Sequence, residues 1–177
     1  MSNPYIMFIS SIVNEFRDNK VRFVQIGGND GVMDDPINAI IKKNNWEGII
    51  VEPIPEYFEM LKSTYKDTPS VKLIQVAIDT EVKKRRIYKA KEERVLQQIE
   101  HEGKNWIQGC ASFSRDHLLD MNLTEDDIDT IMVDTMTGKE LVKDFKDCDI
   151  LLIDVEGAED TVLKSFDLSV WKPKVII

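Results

Sequence analysis

Residues 23–31 read Phe-Val-Gln-Ile-Gly-Gly-Asn-Asp-Gly, a short apolar run that leads into a glycine-rich turn. A second apolar run ends in a carboxylate, Glu52, roughly 20 residues after the last glycine of that turn. In a parallel α/β sheet, such a turn lets the backbone approach a ligand, and such a carboxylate can accept both hydroxyls of a ribose. The pair therefore predicts a site for an adenosine-containing cofactor.

Strand and helix patterns alternate along the chain, which is typical of an α/β fold with a doubly wound, mostly parallel sheet. Strands are predicted at 23–26, 48–52, 71–78, 86–90 (antiparallel), 131–134, 150–154 and 174–177. Helices are predicted at 4–17, after Pro36, from Tyr57 and at 157–166, and capping boxes predict helix starts at 124–127 and 137–140.

The size and charge of the chain limit its class. Its 177 residues predict one domain over 1–177, with an N-terminal helix within residues 1–20 that packs on the sheet. The net charge of −9 argues against nucleic-acid and anionic-membrane partners, because neutralising phosphates needs clustered Lys and Arg. The sequence shows no leader pattern, no apolar run of about 20 residues and few cysteines, which predicts a cytoplasmic protein.

Residues 91–117 lack a clear helical or strand period and contain His101, Trp106, Ser112 and Ser114. A long polar stretch with aromatic residues inside a small domain is often a functional loop. We therefore expect an irregular segment on the acceptor side of the site.

Three predicted strands end in polar residues. The first leads into Gly27–Gly31, the second ends at Glu52, and the strand at 150–154 ends at Asp154 with Glu156 beyond it. Ligands of open α/β sheets bind beyond the carboxyl ends of the strands, near the switch point, so these residues predict a cofactor cleft. Asp154 is the first candidate for a general base, although the same position could instead cap the following helix.

The spacing of the glycines distinguishes between cofactors. The turn reads Gly27-x-Asn29-x-Gly31 with Asp30 inside it, whereas a dinucleotide fold uses Gly-x-Gly-x-x-Gly. A carboxylate in the turn would repel a pyrophosphate but would suit the ammonium and sulfonium of S-adenosylmethionine. A nicotinamide-dependent oxidoreductase fragment is the alternative enzyme, because Glu52 fits its ribose as well. A non-catalytic domain that keeps the fold for binding or assembly is the third hypothesis.

Several segments resemble the FkbM-type family of S-adenosylmethionine-dependent methyltransferases. They are 23–31, Gly-Ile-Ile-Val-Glu-Pro at 48–53, Val-Ala-Ile-Asp at 76–79, Leu-Leu-Ile-Asp-Val-Glu-Gly-Ala-Glu at 151–159 and Lys-Pro-Lys-Val-Ile-Ile at 172–177. The resemblance implies a Rossmann-like class I methyltransferase fold. It also implies O-methylation of a hydroxyl, typically on a sugar or polyketide, so a small molecule or glycan is the expected acceptor.

The resemblance also implies roles for single residues. The methionine end of S-adenosylmethionine would lie on Gly27, Gly28, Asn29, Asp30 and Gly31. The ribose would lie on Glu52, next to Pro53, and the adenine between Gln75 and Ala77. Asp154 would lie beside the reactive methyl group.

Three residues are candidates for catalysis: Asp154, Glu156 and His117. A sugar hydroxyl is weakly acidic, so a general base would assist the transfer. Glu156 and Glu159 could join Asp154 around a divalent cation, but acids at a helix start more often favour the helix dipole, so no metal site is predicted.

Two features depart from the family pattern. Gln25 stands where many class I methyltransferases carry an acid, which would weaken contact with the amino group of the cofactor unless Asp30 substitutes for that acid. The family's sheet continues past the strand at 174–177 with a C-terminal hairpin, which is absent from this sequence. A sheet without those strands would expose an edge, which predicts a homodimer formed through that edge.

Overall fold

A computed structural model describes residues 4–16, 20–102 and 106–177. The strands, in chain order, are β1 (Arg22–Ile26), β2 (Glu47–Val51), β3 (Val71–Ile74), β4 (Ala77–Ile78), β5 (Lys84–Ala90), β6 (Ile128–Met136), β7 (Ile150–Ile153) and β8 (Val175–Ile176). The helices are α1 (Pro4–Asn14), α2 (Asn38–Asn44), α3 (Pro55–Tyr65), α4 (Glu92–Glu102), α5 (Arg115–Asp120), α6 (Gly138–Leu141) and α7 (Glu159–Ser165). Short 3-10 helices cover Trp106–Cys110 and Glu125–Asp127.

The main sheet is parallel and has the strand order β3-β2-β1-β7-β8. The chain moves outward from β1 to β3 on one side and from β7 to β8 on the other, so the switch point lies between β1 and β7. Val24 in β1 pairs with Ile49 of β2 and Leu151 of β7. This topology confirms the predicted doubly wound α/β fold.

The two faces of the main sheet are covered by separate apolar clusters, because neighbouring residues of a strand point to opposite faces. Phe23 belongs to one cluster, together with Trp46 and with Ile9 and Val13 of α1. The predicted N-terminal helix therefore packs on the sheet; residues 1–3 and 17–19 of that prediction lie outside the described residues, as do the side chains of Tyr5 and Phe8.

On the opposite face, Val24 belongs to a second cluster with Phe166 and Trp171. The rings of Phe166 and Trp171 stack at 5.1 Å between centroids. The indole N–H of Trp171 donates to the carbonyl of Phe145 at 2.8 Å, so this buried polar group is satisfied.

A second, three-stranded sheet has the order β4-β6-β5, with β5 antiparallel to β6. The antiparallel strand predicted at 86–90 is confirmed. The single strand predicted at 71–78 is wrong, because the chain passes from one sheet to the other between β3 and β4. The capping box predicted at 124–127 is present, but the helix that it begins is a single 3-10 turn, after which the chain pairs with β5 as the nine-residue strand β6.

The irregular segment predicted at 91–117 is corrected by the structure. Residues 92–102 form helix α4, and residues 106–110 form a 3-10 helix. Residues 103–105 are not among those that the structure describes. The helical period was hidden because the buried face of α4 includes Gln98 beside Val95. The Oε1 atom of Gln98 accepts the N–H of Ile107 at 3.1 Å, which fixes α4 to the 3-10 helix.

β3 and β8 form the edges of the main sheet in the part of the chain that the structure describes. The homodimer through a sheet edge stays a prediction. Among the described helices, none combines the length and the apolar character that crossing a bilayer requires.

Candidate active site

A cleft of about 240 Å³ opens at the carboxyl ends of β1, β2 and β7, at the switch point of the main sheet. Its floor is made by the glycine turn after β1, by Glu52–Ile54 after β2 and by Asp154–Glu156 after β7. Its opposite wall comes from residues 76–78 and 108–113. The predicted convergence of three strand ends is therefore present in the structure.

The glycine turn brings β1 and β7 into close contact. Gly27 has a φ of +88°, and a Cβ atom placed there would lie 1.8 Å from the carbonyl oxygen of Asp154. The N–H groups of Gly27 and Gly28 both donate to the carbonyl of Val51, at 3.1 and 3.0 Å. Since no side chain fits at position 27, the cleft floor there is bare backbone, which a ligand can approach closely.

Glu52 fixes the turn through its carboxylate and is 5% exposed. Its Oε2 accepts the N–H of Asn29 and its Oε1 accepts the N–H of Ile54, both at 2.9 Å. Burial raises the pKa of Glu52 to about 7, and these two hydrogen bonds oppose the increase. Each carboxylate oxygen has a second lone pair, so Glu52 can still accept hydroxyl groups from a ligand in the cleft.

Asp154 follows β7 and is exposed to the cleft. Desolvation by the surrounding cleft raises its pKa to about 6, and the nearby charges of Glu156, Glu159, Asp34 and Asp35 act in the same direction. The alternative role as a helix cap is absent: α7 begins at Glu159, its N-cap is Ala158, and that cap makes no side-chain hydrogen bond. Asp154 is therefore available to a ligand in the cleft, and its pKa suits a general base.

Glu156 lies beside Asp154 on the cleft lining and has a φ of +53°. Its Oε2 is 3.1 Å from Nε2 of His117. The hydroxyl of Ser112 donates to the main-chain carbonyl of Glu156 at 2.6 Å. These contacts hold Glu156 in a backbone conformation that costs free energy in a non-glycine residue. His117 reaches the site through Glu156 and is not itself among the lining residues.

The other residues predicted to bind the cofactor divide into two groups. Asn29, Pro53 and Ala77 line the cleft, whereas Gln75 is exposed and lies outside the lining. Asp30 and Gly31 also lie outside it.

Asp30 and Gly31 shape the turn from behind. The Oδ1 atom of Asp30 accepts the N–H groups of Val32 and Met33, both at 2.8 Å. Gly31 has a φ of +72° and packs against Leu61 and Tyr65 of α3, where a Cβ would be too close. Both residues therefore support the conformation of the turn.

Gln108 is a site residue that sequence reasoning missed. It is 6% exposed, lines the cleft and donates from Nε2 to Oδ1 of Asn29 at 2.8 Å. It lies 79 residues from Asn29 in the chain, within a stretch that has no periodicity, so no local signal marks it.

Cys110 also lines the cleft. Burial raises the pKa of its thiol to about 11, so the thiol stays protonated near neutral pH and is a poor nucleophile.

The charged side chains on the described lining of the cleft are all acidic. Five acidic residues line it: Asp34, Asp35, Glu52, Asp154 and Glu156. Among the described residues that line the cleft there is no Lys or Arg. In the same part of the chain, no group of three or more His, Cys, Asp or Glu side chains is placed to hold a metal ion. The cleft therefore favours cationic ligands and disfavours anionic ones.

The fold and the cleft define an α/β domain with a cofactor site at the switch point of its parallel sheet. The chain belongs to the methyltransferase FkbM domain family, whose model matches residues 25–177. This membership confirms the resemblance seen in the sequence. A search of curated proteins found no match.

Two solved structures are similar to the chain. One is methyltransferase FkbM from Methylobacillus flagellatus KT, with a TM-score of 0.51 and 13% identity over 87% of this chain and 31% of that chain. The other is a METTL16 MTase domain, with a TM-score of 0.42 and 11% identity over 93% of this chain and 46% of that chain. The chain thus spans about a third of the length of the first of these relatives, and that likeness supports the fold.

Proposed function

We propose that this protein is an S-adenosylmethionine-dependent O-methyltransferase that methylates a hydroxyl of a sugar, glycan or small molecule. The observation that carries the proposal is the cleft at the switch point, with its bare glycine turn, its buried Glu52 and its excess of acidic side chains. Membership of the methyltransferase FkbM domain family supports methyl transfer as the reaction. The acceptor class follows from the resemblance to that family.

The charge of the cleft supports this cofactor over a dinucleotide. S-adenosylmethionine carries a sulfonium and an ammonium, and both are attracted by the acidic lining. A nicotinamide dinucleotide carries a pyrophosphate, which would meet carboxylates and no Lys or Arg among the described lining residues. The spacing of the glycine turn points the same way.

The residues present fit the parts of the cofactor. The backbone of Gly27–Asn29 suits the methionine end, and Glu52 suits the ribose hydroxyls. The apolar side chains of Pro53 and Ala77 would flank the adenine. When bound, S-adenosylmethionine supplies an activated methyl group, and the protein supplies alignment and exclusion of water.

Asp154 would take the proton of the acceptor hydroxyl. Its carboxylate faces the cleft, and its pKa of about 6 keeps it mostly ionised near neutral pH. Besides desolvation, the charge of Glu156 raises the pKa of Asp154 and so assists its uptake of the proton, and Glu156 is itself held by Nε2 of His117 at 3.1 Å. His117 acts in this scheme as a positioning residue for Glu156.

Calorimetry with two ligands tests the proposed function. We expect heat of binding with S-adenosylhomocysteine and none with NAD. Heat only with NAD would support the oxidoreductase alternative. Absence of heat with either ligand would support a domain that uses the fold for assembly.

Glu52 provides a prediction on pH. Only its ionised form accepts two hydroxyl hydrogen bonds, so affinity for S-adenosylhomocysteine should fall as Glu52 is protonated. With a pKa of about 7, lowering the pH from about 8 to about 6 should weaken binding roughly tenfold. Glu52→Gln should bind about 1–3 kcal/mol more weakly and lose this dependence.

The Asp154→Asn variant is the control for the Glu52 titration, because it removes a second cleft carboxylate with a raised pKa, about 6, and should keep the pH dependence. Isothermal calorimetry across pH measures both variants. An affinity that is independent of pH in the unmodified protein would contradict the ribose assignment of Glu52.

A further inference from the structure

Gln25 of β1 and Asp35, which precedes α2, are in contact on the lining of the cleft. The Nε2 atom of Gln25 donates to Oδ2 of Asp35 at 3.2 Å. Gln25 is 3% exposed, and both residues line the cleft. The roles proposed above do not use this polar pair, in which Gln25 is buried and Asp35 is half-buried.

The hydrogen bonds of the pair leave one acceptor unmatched. Oδ1 of Asp35 accepts the N–H groups of Ile37 and Asn38 at 2.8 and 2.9 Å, and Oδ2 accepts Gln25. Since the amide nitrogen of Gln25 faces the carboxylate, its carbonyl oxygen Oε1 faces away. That oxygen is buried and has no hydrogen-bond partner among the described residues. A buried acceptor without a donor costs free energy, so a ligand that donates a hydrogen bond to this oxygen would be stabilised here.

The charge of Asp35 shows which kind of donor suits the pair. Burial raises the pKa of Asp35, the charge of Asp30 adds to the increase, and the hydrogen bonds oppose it. A cationic N–H donor would donate a hydrogen bond to the amide oxygen of Gln25 and would also stabilise the ionised carboxylate of Asp35. Asp30 cannot take this role, because it lies outside the cleft lining, whereas Asp35 is part of that lining.

We propose that Asp35, positioned by Gln25, binds the α-ammonium group at the amino-acid end of the cofactor. The assignment rests on the proposed function, since it presumes S-adenosylmethionine in this cleft. It places the cationic end of the ligand near β1, and it leaves Glu52 at the end of β2 for the ribose.

Two ligands that differ in the amino-acid end test the assignment. S-adenosylhomocysteine carries the ammonium, and 5′-methylthioadenosine lacks the whole amino-acid portion. By calorimetry, Asp35→Asn should bind S-adenosylhomocysteine about ten- to a hundredfold more weakly and 5′-methylthioadenosine as the unmodified protein does. Equal losses for both ligands, or no loss for either, would overturn the assignment while the proposed function stands. If the unmodified protein binds neither ligand, the proposed function itself fails.

A charge relocation and a ligand substitution complete the test. In the double variant Gln25→Glu with Asp35→Asn, the carboxylate moves to the other member of the pair, and affinity for S-adenosylhomocysteine should return. Failure to regain affinity in a folded double variant, checked by thermal unfolding, would count against the assignment. Without any variant, the unmodified protein should bind the deaminated analogue of S-adenosylhomocysteine at least about tenfold more weakly, and equal affinity would overturn it.

Discussion

Asp154→Asn is expected to slow methyl transfer by about 10²–10⁴-fold in a single turnover, the range that a positioned general base contributes. The substitution keeps the size of the side chain but removes the proton acceptor. Binding of S-adenosylhomocysteine should change much less, because Glu52 and the glycine turn hold the ligand elsewhere. In the unmodified protein, the rate should rise as pH increases through about 6, since Asp154 must lose its proton to act. In Asp154→Asn, the rate of methyl transfer should not rise over this pH range.

The measurement follows labelled methyl groups from S-adenosylmethionine to whichever member of a panel of simple glycosides and small alcohols supports turnover. Asp160→Asn is the matched control: Asp160 is an exposed acid on α7, paired with Lys164 and outside the cleft lining. Its rate should be unchanged. A normal single-turnover rate in Asp154→Asn would remove Asp154 as the base.

Gly27→Ala should destabilise the protein by on the order of 3–5 kcal/mol, through a left-handed backbone forced on alanine and a steric clash. The added Cβ would lie 1.8 Å from the carbonyl oxygen of Asp154, and main-chain atoms at a strand end cannot move away without disturbing β7. The measurement is urea-induced unfolding. Where the variant still folds, the displaced Asp154 should also weaken binding of S-adenosylhomocysteine.

Gly109→Ala is the control for this effect. Gly109 lines the same cleft, but an added Cβ would find its nearest neighbour, the Cε of Met33, at 3.4 Å, an ordinary contact with a flexible side chain. The free energy of unfolding of Gly109→Ala should differ from that of the unmodified protein by less than about 1 kcal/mol. If both variants lost the same stability, the close approach of β1 and β7 would not be the cause.

The cleft floor could be predicted from sequence because its signals are local. A glycine turn, Glu52 and Asp154 each stand directly at the end of an apolar run, and parallel strands bring such ends to one edge. The position of each residue relative to its own strand was sufficient. The main sheet followed from the same pattern.

The cleft wall could not be predicted, because it depends on contacts between distant segments. Gln98 hides the helical period of α4 by standing on its buried face. Gln108 meets Asn29 across 79 residues. Asp35 accepts the N–H groups of Ile37 and Asn38, where α2 begins. Its contact with Gln25 depends on how the turn folds back and is not readable from spacing.

The shape of the cleft floor depends mainly on main-chain groups, whereas the wall contacts the floor through its side chains. Glu52 holds main-chain N–H groups, and Gly27 has no side chain to alter. The wall reaches the floor through side-chain bonds such as Gln108 to Asn29 and Ser112 to Glu156. In evolutionary terms, the two parts can change at different rates. Under the function proposed above, substitutions in the wall at 108–113 would alter acceptor choice while the floor continues to bind the same methyl donor.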